Sequence, residues 1–234
     1  MVHAVEAGEP SSLEGYHRIA AALGLDPRFT FQPDRATISA RALDPVHAAM
    51  GEVEAVQLRR HGPQVRLDEP YQHFQFAGRA DVVGIDAPRH DMLHIENRTR
   101  FPDVGGFAGS FNAKRAYLAD DLVRRLGLGR GERDLHSVTH VVVALWSAEV
   151  LHVLRLRAAS FQGVAPDGTD AFAAWWNGAH PPAGTSTTLV VFDPLPGIRQ
   201  SRRRWIGLGD ALRAEPRYRD YATALSALRD RGLA

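Results

Sequence analysis

Two short segments place an acidic residue among apolar ones: "RADVVGID", residues 79–86, and "LHIENRTRF", residues 93–101. Both are typical of buried β-strands, and the turn "APRHD" between them predicts a hairpin. Alternate residues of a strand share a face, so Asp81 and Glu96 can meet near one end of that hairpin. Two adjacent carboxylates repel each other unless a divalent cation or a shared proton lies between them. The pair is therefore a candidate Mg²⁺ site, suited to phosphodiester hydrolysis.

Basic residues accompany this acidic pair. Arg98 follows Glu96 by two residues, and Lys114 is the only lysine in the chain. Lys114 lies three residues after Phe111, on the apolar stripe by which a helix would face the sheet. A lysine on a buried stripe needs a partner, and Glu96 is the first candidate, with Asp81 the next. The alternative for Glu96 is a surface ion pair with arginine, worth about 0–1 kcal/mol.

The elements that position these residues follow from hydrophobic periodicity and end signals. Helices are predicted over residues 13–24, 44–60, 104–129 and 148–159, and again in the basic C-terminal segment, 201–234. Asp44 is the expected N-cap of the second helix, which we expect to be broken or strained near Gly51. Extended segments are predicted at residues 28–40, 65–78, 79–86, 92–100, 138–146 and 187–194. Residues 162–186 read as a loop, which Trp175 and Trp176 would anchor by packing.

This order of elements predicts the fold class. Helices precede a hairpin and then alternate with strands, which indicates an α/β fold whose mixed sheet is flanked by helices on both faces. The simplest organisation is one domain over residues 1–234, with helical additions at both ends.

The hairpin and the helix after it resemble the core of PD-(D/E)xK nucleases, which has a restriction-endonuclease-like mixed sheet. In that core an acid lies in one strand, and the next strand carries an acid, a spacer and usually a lysine. The resemblance implies that Asp81 and Glu96 bind Mg²⁺ and that Arg98 stands in the place of the lysine. Arginine stays protonated, so it can hold a phosphate but cannot easily pass a proton to or from water.

A closer resemblance extends from about Tyr16 to Leu156. There the chain is similar to the nuclease-like domain that follows a helix-turn-helix in many actinobacterial regulators. Its motif after the acidic strand is matched by Thr99, Arg100, Phe101 and Asp103, and a recurring lysine of the next helix is matched by Lys114. Too few residues precede Tyr16 for a helix-turn-helix, so we expect that DNA-reading element to be missing.

Further charged residues have two interpretations each. Glu52 and Glu54 could add a metal ligand from the second helix, although a solvated helix face is the favoured interpretation. Arg202, Arg203 and Arg204 in "SRRRW" could hold nucleic-acid phosphates beside an aromatic ring, although a solvated turn is favoured there.

Bulk composition limits the remaining options. Twenty-eight basic and 27 acidic residues leave a formal charge of +1, so any DNA binding must come from local patches. The chain has no cysteine, no signal peptide and no apolar run of membrane-spanning length, which favours a cytoplasmic protein. His136 and His140 do not make a zinc helix because the second enters a strand, and motifs for nucleotide, dinucleotide or serine chemistry are absent.

Two hypotheses follow. The first is a DNA-acting PD-(D/E)xK-like domain that works as a Mg²⁺-dependent endonuclease, in which Lys114 activates water and Arg98 neutralises the scissile phosphate. The second is a regulatory or interaction module that has kept the scaffold and lost the chemistry. Either could act as a homodimer or with a separate DNA-targeting partner protein.

Overall fold

The computed structural model describes residues 12–24, 44–73, 76–195 and 203–233. The chain divides into two compact units, residues 1–39 and 40–234. In the first unit, helix α1, Leu13–Ala22, begins after Ser12, whose hydroxyl accepts a hydrogen bond from Gly15 N, as expected of an N-cap. The predicted extended segment at residues 28–40 lies outside the described residues. The single domain stays a prediction.

The second unit is built on one six-stranded sheet of order β1-β2-β3-β4-β5-β6. Its strands are β1 Gln64–His73, β2 Phe76–Asp86, β3 Asp91–Arg98, β4 Ser137–Leu145, β5 Gly184–Phe192 and β6 Trp205–Gly207. Its helices are α2 Pro45–Arg59, α3 Val104–Leu126, α4 Ala148–Leu156, α5 Ala158–Val164, α6 Asp170–Asn177, α7 Leu208–Ala211 and α8 Tyr221–Arg229. Short 3₁₀ turns lie at Ala87–Arg89 and Glu132–Asp134.

Strand directions make the sheet mixed, which confirms the predicted α/β class. Strands β1, β2 and β3 are antiparallel neighbours, whereas β3, β4 and β5 run parallel, and β6 is antiparallel to β5. The predicted hairpin is β2 and β3, with Val82 opposite Ile95. All nine residues of β4 are buried, as a continuous apolar run predicts for a strand covered on both faces.

Helices α2 and α3 cover opposite faces of the sheet. Glu96 and Asn97 are neighbours in β3, so their side chains point to opposite faces. The Glu96 carboxylate contacts Lys114 of α3, and the Asn97 amide contacts Glu54 of α2. The hairpin therefore lies between two helices. The chemistry of each face depends on the side chains that the covering helix contributes.

Four features differ from the sequence predictions. Helix α2 is capped by Asp44 and continues without a break through Gly51, which is buried. The segment predicted as extended, 65–78, contributes to two antiparallel strands, β1 and β2, with His73 opposite Phe76. Helix α6 occupies part of the predicted loop 162–186, and a short strand, β6, lies in the C-terminal segment. Among the described residues, no helix is both long and apolar enough to cross a bilayer.

Candidate functional site

Glu96 lies at the centre of a buried ion-pair cluster. Its side chain is only 2% exposed, and Lys114 Nζ donates to both carboxylate oxygens, at 2.7 Å from Oε1 and 2.6 Å from Oε2. Arg98 Nη2 donates to Oε1 at 2.7 Å. The structure therefore places Glu96, Arg98 and Lys114 together, with two cations on one carboxylate.

Helical spacing brings Lys114 to this position. The buried side chains of α3 include Phe107, Phe111, Lys114, Leu118 and Leu122, which follow one stripe against the sheet. Asp103 caps the start of the helix by accepting from Gly106 N at 2.9 Å, and Gly127 ends it in the left-handed region at φ 67°. Both ends of the helix are thus fixed, and its buried stripe brings Lys114 to the sheet.

The electrostatics of the cluster keep Glu96 ionised. Burial alone would raise the pKa of Glu96, but Lys114, His94 and Arg98 together hold that pKa well below its usual range. Glu96 is consequently a permanent anion at neutral pH. Its charge is already balanced by side chains of the protein.

Asp81 lies at the end of the β2–β3 ladder and has its own partners. Asn97 N donates to Asp81 Oδ2 at 2.7 Å, and His47 Nε2 of helix α2 lies 3.1 Å from the same oxygen. Burial lowers the pKa of His47, but the hydrogen bond and charge of Asp81 outweigh it and leave the pKa raised. Asp81 therefore contacts α2, whereas Glu96 contacts α3.

Glu54 is a residue whose environment the sequence predicted wrongly. It is fully buried, and its Oε2 accepts from Asn97 Nδ2 at 2.9 Å, whereas the sequence favoured a solvated helix face. Glu52, two residues earlier, is exposed. Helix α2 thus brings one carboxylate, Glu54, to the sheet on the side opposite Lys114.

A pair of buried histidines continues the cluster into the sheet. His94 Nδ1 and His140 Nδ1 lie 3.1 Å apart, on neighbouring parallel strands, and both side chains are almost completely buried. His94 Nε2 lies 3.5 Å from Glu96 Oε2. Burial lowers the pKa of His94, and burial followed by the neighbouring His94 lowers that of His140 well below its usual value.

The motif residues after β3 fix the loop that leads to α3. Thr99 Oγ1 donates to Asp44 Oδ2 at 2.8 Å, and Arg100 lies over the Tyr221 ring at 4.6 Å from its centroid. Phe101 is buried against Phe107 and Phe161. This loop is therefore held to α2 and α8, and it orients the start of the helix that carries Lys114.

The basic C-terminal segment borders a separate polar pocket. Arg203 and Arg204 line a cavity of about 630 Å³ together with Trp176 and Trp205, while Arg202 lies outside the described residues. Burial lowers the pKa of Arg204, and its Nη1 atom is buried without a hydrogen-bond partner. Trp175 is a packing residue, as the sequence predicted: it is buried and donates to Thr139 Oγ1 at 3.3 Å.

The sequence analysis did not predict one further group of residues, whose side chains are of metal-binding types. Asp91, His136 and His180 each offer one ligand atom, and these atoms lie within 4.8 Å of one another. Among the described residues no other such group of three or more occurs, and this one includes neither Asp81 nor Glu96. These three residues could therefore hold a metal ion, at a position that the sequence did not predict.

Sequence spacing gave no signal for this group. Asp91 was assigned to a turn, His136 was considered only with His140, and His180 lies in the segment before β5. The residues lie about 45 positions apart, and parallel pairing brings them together because each stands at or just before the start of a strand. The order of the strands in the sheet would have indicated this group, but the sequence does not determine that order.

Comparison of the chain with protein-family models, with curated proteins and with solved structures finds no match.

Proposed function

We propose that the domain acts on DNA as a nuclease of the PD-(D/E)xK type, hydrolysing phosphodiester bonds with Mg²⁺. One observation carries the proposal: Lys114 contacts both oxygens of the buried Glu96. The backbone N of the next residue, Asn97, donates to Asp81. The family resemblance implied two strand acids and a helix-borne lysine, and the proposal assigns these roles to Asp81, Glu96 and Lys114. Buried lysines and carboxylates are rare in proteins because their burial is costly, so several of them near one strand end favour a functional role.

The chemistry of the donor atoms fits Mg²⁺. Asp81 and Glu96 supply carboxylate oxygens, the ligands that this ion prefers, and both side chains are buried. When bound, Mg²⁺ would lower the pKa of a coordinated water and neutralise charge on the phosphate. It would compete with Lys114 and His47 for these oxygens.

The protein's own residues then have distinct roles. Lys114, released from Glu96, would orient or deprotonate the attacking water, because a desolvated lysine can give and take a proton. Arg98, 25% exposed, would hold the scissile phosphate by charge-assisted hydrogen bonds. The C-terminal arginines, Arg202, Arg203 and Arg204, would contact backbone phosphates further along the DNA, where Trp205 offers a stacking surface.

A cleavage assay tests the proposal. Purified full-length protein is incubated with supercoiled plasmid and with linear DNA, with Mg²⁺, with Mn²⁺ and with EDTA. We expect metal-dependent nicking that Glu96→Gln, Asp81→Asn and Lys114→Met each reduce by about 100-fold or more, as removal of one catalytic electrostatic group does. Glu215→Gln changes an exposed acid and is the matched control. Cleavage that survives Glu96→Gln would overturn the assignment.

A second candidate function is a non-catalytic module on the same scaffold, which binds DNA or a partner protein without cutting. It is favoured by the charge balance: Glu96 is neutralised by Lys114 and Arg98, Asp81 is paired with His47, and the two carboxylates contact different helices. It predicts that DNA binding, measured by fluorescence anisotropy, persists without metal and without cleavage. A homodimer or a separate targeting partner would then supply specificity, and a cytoplasmic location would give access to DNA.

A further inference from the structure

We propose that Asp91, His136 and His180 form a binding site for a divalent transition-metal ion of the zinc class. The site lies at the first residue of β3, five residues before Glu96, or roughly 17 Å away along an extended strand at about 3.3 Å per residue. It is separate from the carboxylates of the proposed nuclease centre. Its existence does not depend on the proposed function.

The backbone around the three residues is well fixed. Asp91 and Ser137 are paired at the starts of the parallel strands β3 and β4, and His136 directly precedes Ser137. Gly184 N, at the start of β5, donates to His136 O at 2.9 Å. His180 is followed by two prolines, which restrict its backbone to extended conformations. The three side chains are therefore brought together by the starts of β3 and β4 and by the segment that leads into β5.

The side-chain distances are those of a compact ligand set. His136 Nδ1 lies 2.9 Å from Asp91 Oδ1, and His180 Nδ1 lies 2.9 Å from Asp91 Oδ2. The two imidazole rings lie beside each other with centroids 4.4 Å apart. Two ligand nitrogens and a carboxylate at such separations can share a single ion at the usual bond lengths of about 2.0–2.2 Å.

An independent observation also favours a cation at this position. Asp91 is 1% exposed, and its Oδ2 atom is buried without a hydrogen-bond partner, even though His180 Nδ1 is close to it. The contact is short but lacks the alignment of a hydrogen bond. A buried carboxylate oxygen without a donor is costly, and a metal ion between the oxygen and the imidazole would remove that cost.

The surroundings suit a metal ligand. Ser137 Oγ donates to Asp91 Oδ1 at 2.6 Å, the kind of supporting hydrogen bond that orients a ligating carboxylate. The His136 and His180 side chains are 39% and 49% exposed, so an ion can enter from solvent and water can complete its coordination. Asp91 thus provides the buried anchor, and the histidines provide the accessible side.

The ligand types select the ion. Imidazole nitrogens favour Zn²⁺ and the neighbouring transition metals, whereas Mg²⁺ and Ca²⁺ prefer a shell of oxygens. Two histidines with one carboxylate occur in sites that keep positions open for water. We therefore expect binding of Zn²⁺ and Co²⁺ and none of Mg²⁺ at this position. The competing arrangement is a buried Asp91 that is paired with the two histidines without any ion.

The test is a metal titration of the full-length chain, prepared without a histidine tag and stripped with EDTA. Isothermal titration calorimetry with Zn²⁺ should give one saturable site, and Zn²⁺ should raise the melting temperature by several degrees through preferential binding to the folded state. His136→Gln and His180→Gln should each weaken binding by more than about tenfold, and Ser137→Ala by about 10-fold or more through loss of ligand orientation.

Two controls make the result specific. His152→Gln changes an exposed histidine of α4 and should bind Zn²⁺ as the wild type does. Glu96→Gln should also bind Zn²⁺ normally while losing DNA cleavage, which separates this proposal from the nuclease proposal. Absence of a one-to-one site in the wild type, or unchanged affinity in a folded His180→Gln variant, would overturn the inference.

Discussion

Lys114 Nζ lies within 2.7 Å of both carboxylate oxygens of Glu96, although the two residues are 18 positions apart and on different elements. Both side chains are nearly inaccessible to solvent, 9% exposed for Lys114 and 2% for Glu96. A buried ion pair has lost its hydration, so each charge depends on its partner for compensation. Removal of one partner would therefore leave the other as an uncompensated buried charge, whether or not the pair is catalytic.

Removal of the cation alone should be severely destabilising. Lys114→Met leaves a buried Glu96 with Arg98 as its remaining charged neighbour, so we expect a loss of about 3–5 kcal/mol in the free energy of unfolding. Urea denaturation followed by circular dichroism measures it. Adding Glu96→Gln to Lys114→Met should restore part of the loss. Arg124→Ala, an exposed cation on the same helix, should change stability by less than about 0.5 kcal/mol.

Asp44 should be a second position of high structural sensitivity. Its carboxylate accepts from His47 N at 2.9 Å, Thr99 Oγ1 at 2.8 Å and Tyr221 Oη at 2.8 Å, which joins α2, the loop after β3 and α8. Burial and this bond raise the pKa of Tyr221 to about 12, so the phenol stays a donor at neutral pH.

Asp44→Ala should therefore lower the free energy of unfolding by about 2–4 kcal/mol, through loss of the helix cap and of the hydrogen bonds to two hydroxyls. Chemical denaturation measures the change. Tyr221→Phe removes only one of these bonds and should cost about 1 kcal/mol. Equal costs for the two variants would show that Asp44 acts through Tyr221 alone.

Arg98 separates the two candidate functions. If the domain cleaves DNA, Arg98→Met should reduce the cleavage rate by at least about tenfold through loss of a phosphate contact, while Arg98→Lys should retain the charge and add a group able to transfer protons. Plasmid nicking rates at equal protein concentration provide the measurement. Cleavage that is indifferent to both substitutions would place Arg98 outside the chemistry, as a partner of Glu96 only.

The sequence indicated those features that depend on local pattern. Helical periodicity placed Lys114 on the inner stripe of α3, and strand alternation with a turn predicted the β2–β3 hairpin. It failed where long-range pairing decides the environment. Glu54 looks solvated on a charged helix, yet α2 turns it toward Asn97 of the sheet. Asp91, His136 and His180 meet only because β3, β4 and β5 are parallel neighbours, which no local pattern encodes.

The buried histidines make stability depend on pH in a defined direction. His94 and His140 have lowered pKa values in the folded state, because burial disfavours their charged forms. The unfolded chain then binds more protons than the folded one below the ordinary histidine pKa of about 6.5. Their contribution to stability is present above that pH and is lost progressively as the pH falls toward the folded-state values. His47, whose pKa is raised, contributes in the opposite sense.

A substitution isolates this effect. His140→Gln removes one buried titrating ring at similar volume and keeps an amide near His94 Nδ1. Between pH 7 and pH 5, the wild type should lose on the order of 2 kcal/mol more unfolding free energy than His140→Gln, since one pKa unit corresponds to about 1.4 kcal/mol. Urea titrations across this range measure the difference, with His152→Gln as the exposed control. Parallel curves for wild type and His140→Gln would mean that His140 takes up protons equally in the folded and unfolded states, so that burial does not lower its pKa.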